Sequence, residues 1–159
     1  MPAKAAYDDD FYLWTQEQAA ALREAGAART NAPLDWENLA EEIESLGRSD
    51  FRSLRSHVIR IIEHLLKLEH SPARDPRSGW ERTVILHRAE SRDITQDSPS
   101  LRRRLDAALA DCYRDGRRLA ERGLREDSLD PSALPVAAPY TLDQILDEDW
   151  WPANRHGLS

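Results

Sequence analysis

The side chains of this chain best suited to acid–base or metal chemistry are its five histidines, His57, His64, His70, His87 and His156. Imidazole titrates near neutrality and is the commonest metal ligand. A helical zinc site uses a His-x-x-x-His spacing, and a carboxylate-bridged metal pair in a bundle uses Glu-x-x-His. Neither spacing occurs here. His57 and His64 share a helical face but lie two turns apart. A metal site would therefore need His64 and His87 to converge from separate helices with a carboxylate such as Glu42 or Glu63. The spacing gives no such set, so no metal and no cofactor is assigned. His87 falls between Val84, Ser91 and Ile94 on a core-facing stripe. There it reads as a half-buried imidazole with Ser91 as partner, or, alternatively, as a general base in a pocket. Cys112 sits mid-stripe, where a thiol is an inert small hydrophobe. No Gly-x-Ser-x-Gly, phosphate loop or dinucleotide fingerprint is present, and the six glycines are scattered, so no catalytic residue is assigned.

The second polar group lies in the string Trp36 to Ser49. At 100° per residue, with the apolar face near Ile43, Glu37, Asn38, Glu41 and Ser45 point to solvent, and Glu42 and Glu44 flank the stripe. Flanking carboxylates meet arginines, here Arg48, Arg52, Arg55 or Arg60. Two readings stay open: a polar network that fixes helix register, involving Trp36, Glu42 and Arg48, or a contact for a ligand or partner. The candidate polar cluster is thus Trp36, Glu42, Arg48, His64 and His87.

These residues need helices to position them. A first helix is expected over about 9–29, with Asp8, Asp9 and Asp10 at its start and Phe11, Trp14, Gln18, Leu22 and Ala25 as its stripe. A second follows Asp35, with Trp36, Leu39, Ala40, Ile43 and Leu46 on one face, and Gly47 interrupting it. A third, over about 50–70, carries apolar residues on most sides and reads as central. A fourth spans about 80–96, with Trp80, Val84, His87, Ser91 and Ile94 inward. A fifth, about 99–123, starts at Ser98-Pro99 and ends in a left-handed cap at Gly123. Beyond it, Pro131, Pro135 and Pro139 forbid a long helix. Thr141 caps a short one over 142–148, and Trp150 and Trp151 require the tail to fold back.

Composition agrees. Leu, Ala and Arg are the commonest residues, and Val and Thr are scarce, which favours helix over sheet. A chain of 159 residues fits one domain. The net charge of −7 is unevenly spread. Residues 1–50 carry 4 basic and 11 acidic side chains, residues 51–125 carry 17 and 11, and residues 126–159 carry 1 and 7. Either the acidic ends pack over the basic centre or one face is basic. Arg103, Arg104, Arg114, Arg117, Arg118 and Arg122 form the basic face of the fifth helix. Acidic residues interleave with them, and only Tyr113 lies near to stack on a base, so nucleic acid is disfavoured against an acidic protein partner, the chain's own tail or plain solvent. No apolar run of about 18 residues exists to span a membrane. The first residues lack a signal pattern and one cysteine allows no intrachain disulfide, so the cytoplasm is the expected location.

Several strings together resemble the bacterial "domain of unknown function 29" family. They are Tyr7-Asp8 with Asp10-Phe11-Tyr12 and Trp14, the run Asp35 to Ser49, His64-Leu65-Leu66-Lys67, Trp80, Ser98-Pro99-Ser100-Leu101, and Pro139-Tyr140-Thr141-Leu142 with Gln144-Ile145-Leu146. The resemblance covers about 7 to 152 and departs at Leu68, where relatives are expected to carry an aromatic residue. It implies an all-helical bacterial protein and supplies no activity and no catalytic residues. The expected architecture is an all-α, up-and-down bundle of four to five helices in one domain, 1–159. Its helical core covers about 9–123, a docked tail 124–152, and 1–6 and 153–159 are flexible. The expected function is non-enzymatic binding or regulation through a protein partner, with a homo-oligomer also open. The alternative is a small-molecule or metal-binding enzyme with a pocket lined by Glu42, His64 and His87.

Overall fold

The computed structural model describes residues 6–28 and 31–159. Every regular element among them is helical: α1 (Phe11–Ala27), α2 (Trp36–His70), α3 (Arg77–Asp97), α4 (Ser100–Ala107), α5 (Leu109–Glu126), a 3-10 turn (Pro131–Ala133) and α6 (Leu142–Leu146). None of the described helices is long and apolar enough to cross a membrane. The chain divides into two compact units, Met1–Ser53 with Asp93–Arg104, and Leu54–Arg92 with Leu105–Ser159.

In the first unit, one carboxylate serves two helix starts. Asp10 accepts from Leu13 N at 2.9 Å as the cap of α1, and from Ser100 N at 2.7 Å and Ser100 Oγ at 2.8 Å at the start of α4. Ser98, expected to cap the helix that follows it, instead accepts from Tyr12 N at 3.0 Å. The buried face of α1 is Tyr12, Thr15 and Ala19, not the expected stripe through Phe11 and Trp14. Phe11 and Trp14 are half-buried and gather with Tyr7 in an aromatic trio, with Tyr7 edge-on to both at 5.4 and 4.9 Å.

Gly47 explains that shift. It was expected to break the helix, yet α2 runs through it without interruption. A Cβ at Gly47 would stand 2.3 Å from Thr15 Oγ1 and 3.0 Å from Tyr12 Cδ2. The missing side chain lets α1 lie close against α2, so the small and polar residues of α1 face inward there.

In the second unit, the later half of α2 supplies the core. Leu54, Val58, Ile61, Ile62, Leu65, Leu66 and Leu68 are all 0–2% exposed. Burial of this set is the largest apolar contribution in the unit, at about 1.5–3 kcal/mol for each enclosed Leu, Ile or Val. Gly116 on α5 meets Ile62 closely, where a Cβ would stand 2.8 Å from Ile62 Cγ2. The fifth expected helix is in fact two, α4 and α5, joined at Ala108. Gly123 does not end α5, which continues to Glu126. Its bare Cα makes room for Lys67, whose Cε and Nζ lie 2.5 Å from a built Cβ, and the left-handed residue after the helix is Ser128, φ 61°.

The tail is held at several points. Tyr113 donates to Pro135 O at 2.6 Å, Leu134 and Tyr140 are buried, and Thr141 and Gln144 form a reciprocal capping box on α6. Residues 153–159, expected to be flexible, include three that bind the end of α2. Asn154 Nδ2 donates to Leu68 O and Ser71 O, Arg155 N to Glu69 O, and His156 Nε2 to His70 O. Of the 1–6 segment, also expected to be flexible, residues 1–5 lie outside the described residues.

Substituting Gly47→Ala should destabilise the protein by about 1–3 kcal/mol, the usual cost of overpacking a tight contact. The same change at the open Gly79, which has nothing within 4 Å, should be neutral or mildly stabilising. Thermal denaturation of the two variants side by side checks this.

Candidate functional site

The five sequence candidates fall in different units. In the first, Trp36 is half-buried at the start of α2 and packs on Gly26, whose Cβ would stand 2.7 Å from Trp36 Cβ. Arg48 joins a charge network in which Arg23 bonds Glu37 at 3.1 Å and Glu44 at 2.9 Å, and Arg48 bonds Glu41 at 2.5 Å and reaches Glu44 at 3.5 Å. Glu42 takes no part in that network. It points to solvent, and Glu44 is the flanking carboxylate that meets arginine. The arginine that organises the network, Arg23 of α1, was not among the sequence candidates.

His64 and His87 belong to the second unit. His64 donates from Nδ1 to Arg60 O at 2.9 Å, one turn earlier on α2. Burial pushes its titration down, partly offset by that carbonyl and by Glu63. Glu63 itself is nearly enclosed, bonded by Arg60 at 2.7 Å and Lys67 at 3.1 Å. Against the opposing effect of burial, these partners and the neighbouring His64 hold its carboxyl below the ordinary range. His87 is met by a second imidazole. Its Nδ1 lies 2.7 Å from Nδ1 of His57, with ring centroids 5.0 Å apart and planes tilted 45°. One ring must donate and the other accept, so the pair cannot carry a proton on both facing nitrogens without losing the bond. Burial first, then the neighbouring His57 and Arg60, push His87 down.

The largest buried polar side chain of α3 escaped the sequence reading. Arg88 is 1% exposed. Its Nε donates to Ile145 O at 2.9 Å and its Nη2 to Gln144 O at 3.1 Å, and its guanidinium stacks over Trp151 at 4.9 Å. It therefore binds the last carbonyls of α6, which a helix leaves unpaired, and holds the tail to α3. Nη1 is buried without a hydrogen-bond partner among the described residues. Burial draws the guanidinium down to about 10, against the raising influence of Asp147 and Glu148. The spacing Trp80, Val84, Arg88 and Ser91 could have revealed it, since these four are the buried residues of α3.

Two cavities lie on this side of α3, and Ile85 lines both. One, about 410 Å³, is lined by Ile85, Arg88, Ala89, Arg92 and Glu148. The other, about 380 Å³, is walled by Leu68, Ile85, Trp151, Pro152 and Leu158, with Arg77 and Glu81 at its polar side. Arg77 gives Nη1 to Leu68 O at 3.0 Å, while its Nε is buried and unbonded among the described residues. Cys112 is fully buried and its thiol is pushed up, the state of an unreactive core sulfur. Arginines of the basic face on α5 are paired nearby: Arg114 with Asp111, Arg117 with Glu121, and Arg122 with Glu126. Among the described residues, no three His, Cys, Asp or Glu side chains gather to hold a metal ion.

The described helices, with a buried tail-binding arginine and a paired imidazole contact, define an all-α protein. The chain belongs to the family described as "Domain of unknown function DUF29", whose model matches residues 6–151. It is similar to a crystal structure of an alpha-helical protein of unknown function from Rhodospirillum rubrum. The two are 30% identical, the match covers 93% of each chain, and the TM-score is 0.81. No curated protein matches it.

Two outcomes are expected. Replacing Arg88 by Ala removes two charged hydrogen bonds to α6 and should cost about 2–3 kcal/mol in urea unfolding. It should also open the 142–156 segment to protease before the rest of the chain. The second concerns pH. Folded His64, His70 and His87 all titrate below the ordinary imidazole value because burial disfavours their charge. The unfolded chain therefore binds more protons just below neutrality. The stability these groups confer is complete above about pH 6.5 and is lost as pH falls through their folded values. The urea midpoint should accordingly drop between pH 7.5 and 5.5, and an unchanged midpoint would contradict the burial of these rings.

Proposed function

We propose that the protein is a non-enzymatic binding or regulatory protein, acting in the cytoplasm through a protein partner, and that it meets the partner on the outer face of α3. One observation carries this reading. Ile85, 57% exposed, stands between two cavities, and each cavity contains an arginine with an unused buried N–H. Leu86 beside it is equally exposed.

Large apolar side chains set between pockets and rimmed by arginine and tryptophan have the composition of an interface anchor. The rims of the two cavities carry both signs of charge, from Arg77 and Glu81 on one side and Arg92 and Glu148 on the other. The fitting segment places an apolar side chain against Ile85 and polar groups toward these rims. The surface arginines of α5, being paired with neighbouring acids, give a weaker claim to an acidic partner.

A photo-crosslinking residue introduced at position 85, in the native host, should yield one discrete adduct. The same residue at Arg122, on a far more exposed and charge-paired position, should not yield that adduct. With the partner so identified, Leu86→Asp should weaken its binding at least about tenfold, the scale of one interface anchor. Identical products from positions 85 and 122, or none from position 85, would overturn the reading.

A further inference from the structure

We propose that His57 and His87 form a binding site for a borderline-soft divalent cation of the zinc class, held by the two facing Nδ1 atoms. Three observations place it. The two nitrogens come from different helices of the second unit, α2 and α3, and converge to 2.7 Å. Both rings are half-buried, so the helices hold them while solvent still reaches them. Glu90, one turn beyond His87 on α3, is close enough to act electrostatically on His87 and is the nearby acid that would offset the cation's charge.

The chemistry balances without any co-reactant. In the neutral pair one ring carries its proton on Nδ1 and donates it to the other Nδ1. For both Nδ1 lone pairs to face a cation, the donor ring shifts that proton to its Nε2, and no net proton leaves the pair. Zinc–nitrogen bonds of about 2.0–2.1 Å at a tetrahedral centre set the two nitrogens about 3.3 Å apart. A small opening of the present contact, by rotation of the rings, reaches that separation. Two protein ligands leave the other positions to water, so the affinity is that of an open site. Imidazole nitrogen selects zinc, copper and nickel over magnesium and calcium, which take oxygen. The nearby positive charges, Arg60 on α2 and His64 when protonated, act against binding.

Calorimetric titration of the full chain with zinc chloride at pH 7.5 tests the site, with magnesium chloride as the probe for non-specific binding to this acidic protein. One zinc ion per chain is expected, with no comparable heat from magnesium. His57→Gln and His87→Gln should each weaken zinc binding by more than about tenfold, while His64→Gln leaves it unchanged. Far-UV circular dichroism checks that each variant is folded. Nitrogen-detected NMR of the unsubstituted chain reads the ligands directly, and zinc should move the Nδ1 resonances of His57 and His87 alone. Equal heat from magnesium, zinc binding that survives both Gln variants, or zinc shifts confined to other histidines would overturn the proposal.

Discussion

A helix that ends inside protein leaves its last carbonyls without partners, and the second unit is organised around meeting that demand. The end of α2 is buried, with Leu68 at 2%, His70 at 8% and Ser71 at 0% exposure. Its carbonyls at 68, 69, 70 and 71 are bonded by Arg77, Asn154, Arg155 and His156. A buried unpaired carbonyl costs about 1–3 kcal/mol, so the course of the tail is fixed by the helix it closes. The same rule governs α6, whose final carbonyls go to Arg88. Glu69 extends the arrangement sideways, since its carboxylate receives Arg155 at 3.1 Å and the Tyr140 hydroxyl.

The sequence reading captured what periodicity controls. Apolar positions at helical spacing located α2, α3 and α6, and the types at Asp10, Asp35 and Thr141 located their starts or that of α1. The errors share a physical cause. A glycine within a helix marks either a break or a close neighbour, and only the distant partner decides between them. At Gly47 that partner is Thr15, and at Gly123 it is Lys67. The choice of Phe11 and Trp14 for the face of α1 followed hydrophobicity. Close approach of two backbones instead rewards small side chains at the contact, which is why Thr15 and Ala19 are enclosed.

The candidate site was less legible, again for stated reasons. Arg88 has the spacing of a core residue and the type of a surface residue, and type was weighed first. Its burial depends on carbonyls 56 and 57 residues away in sequence. His87 was recognised as inward-facing, but its partner His57 lies on another helix, 30 residues earlier. Glu42 and Glu44 differ by 200° around α2, and both were placed at the edge of the buried stripe, where only Glu44 lies.

Charge is handled in two different ways in this molecule, and the contrast indicates where binding is to be sought. Surface charges are settled locally: Arg114, Arg117 and Arg122 each find an acid within one turn, and Arg23 finds its acids on the adjoining helix. Such exposed pairs contribute about 0–1 kcal/mol each and leave little directed potential for a partner to read. The incomplete groups are desolvated ones, namely Arg88 Nη1 and Arg77 Nε beside Ile85. In the second unit the unpaired buried donors thus lie beside the face where α3 exposes its largest apolar side chains, Ile85 and Leu86, away from the paired surface charges.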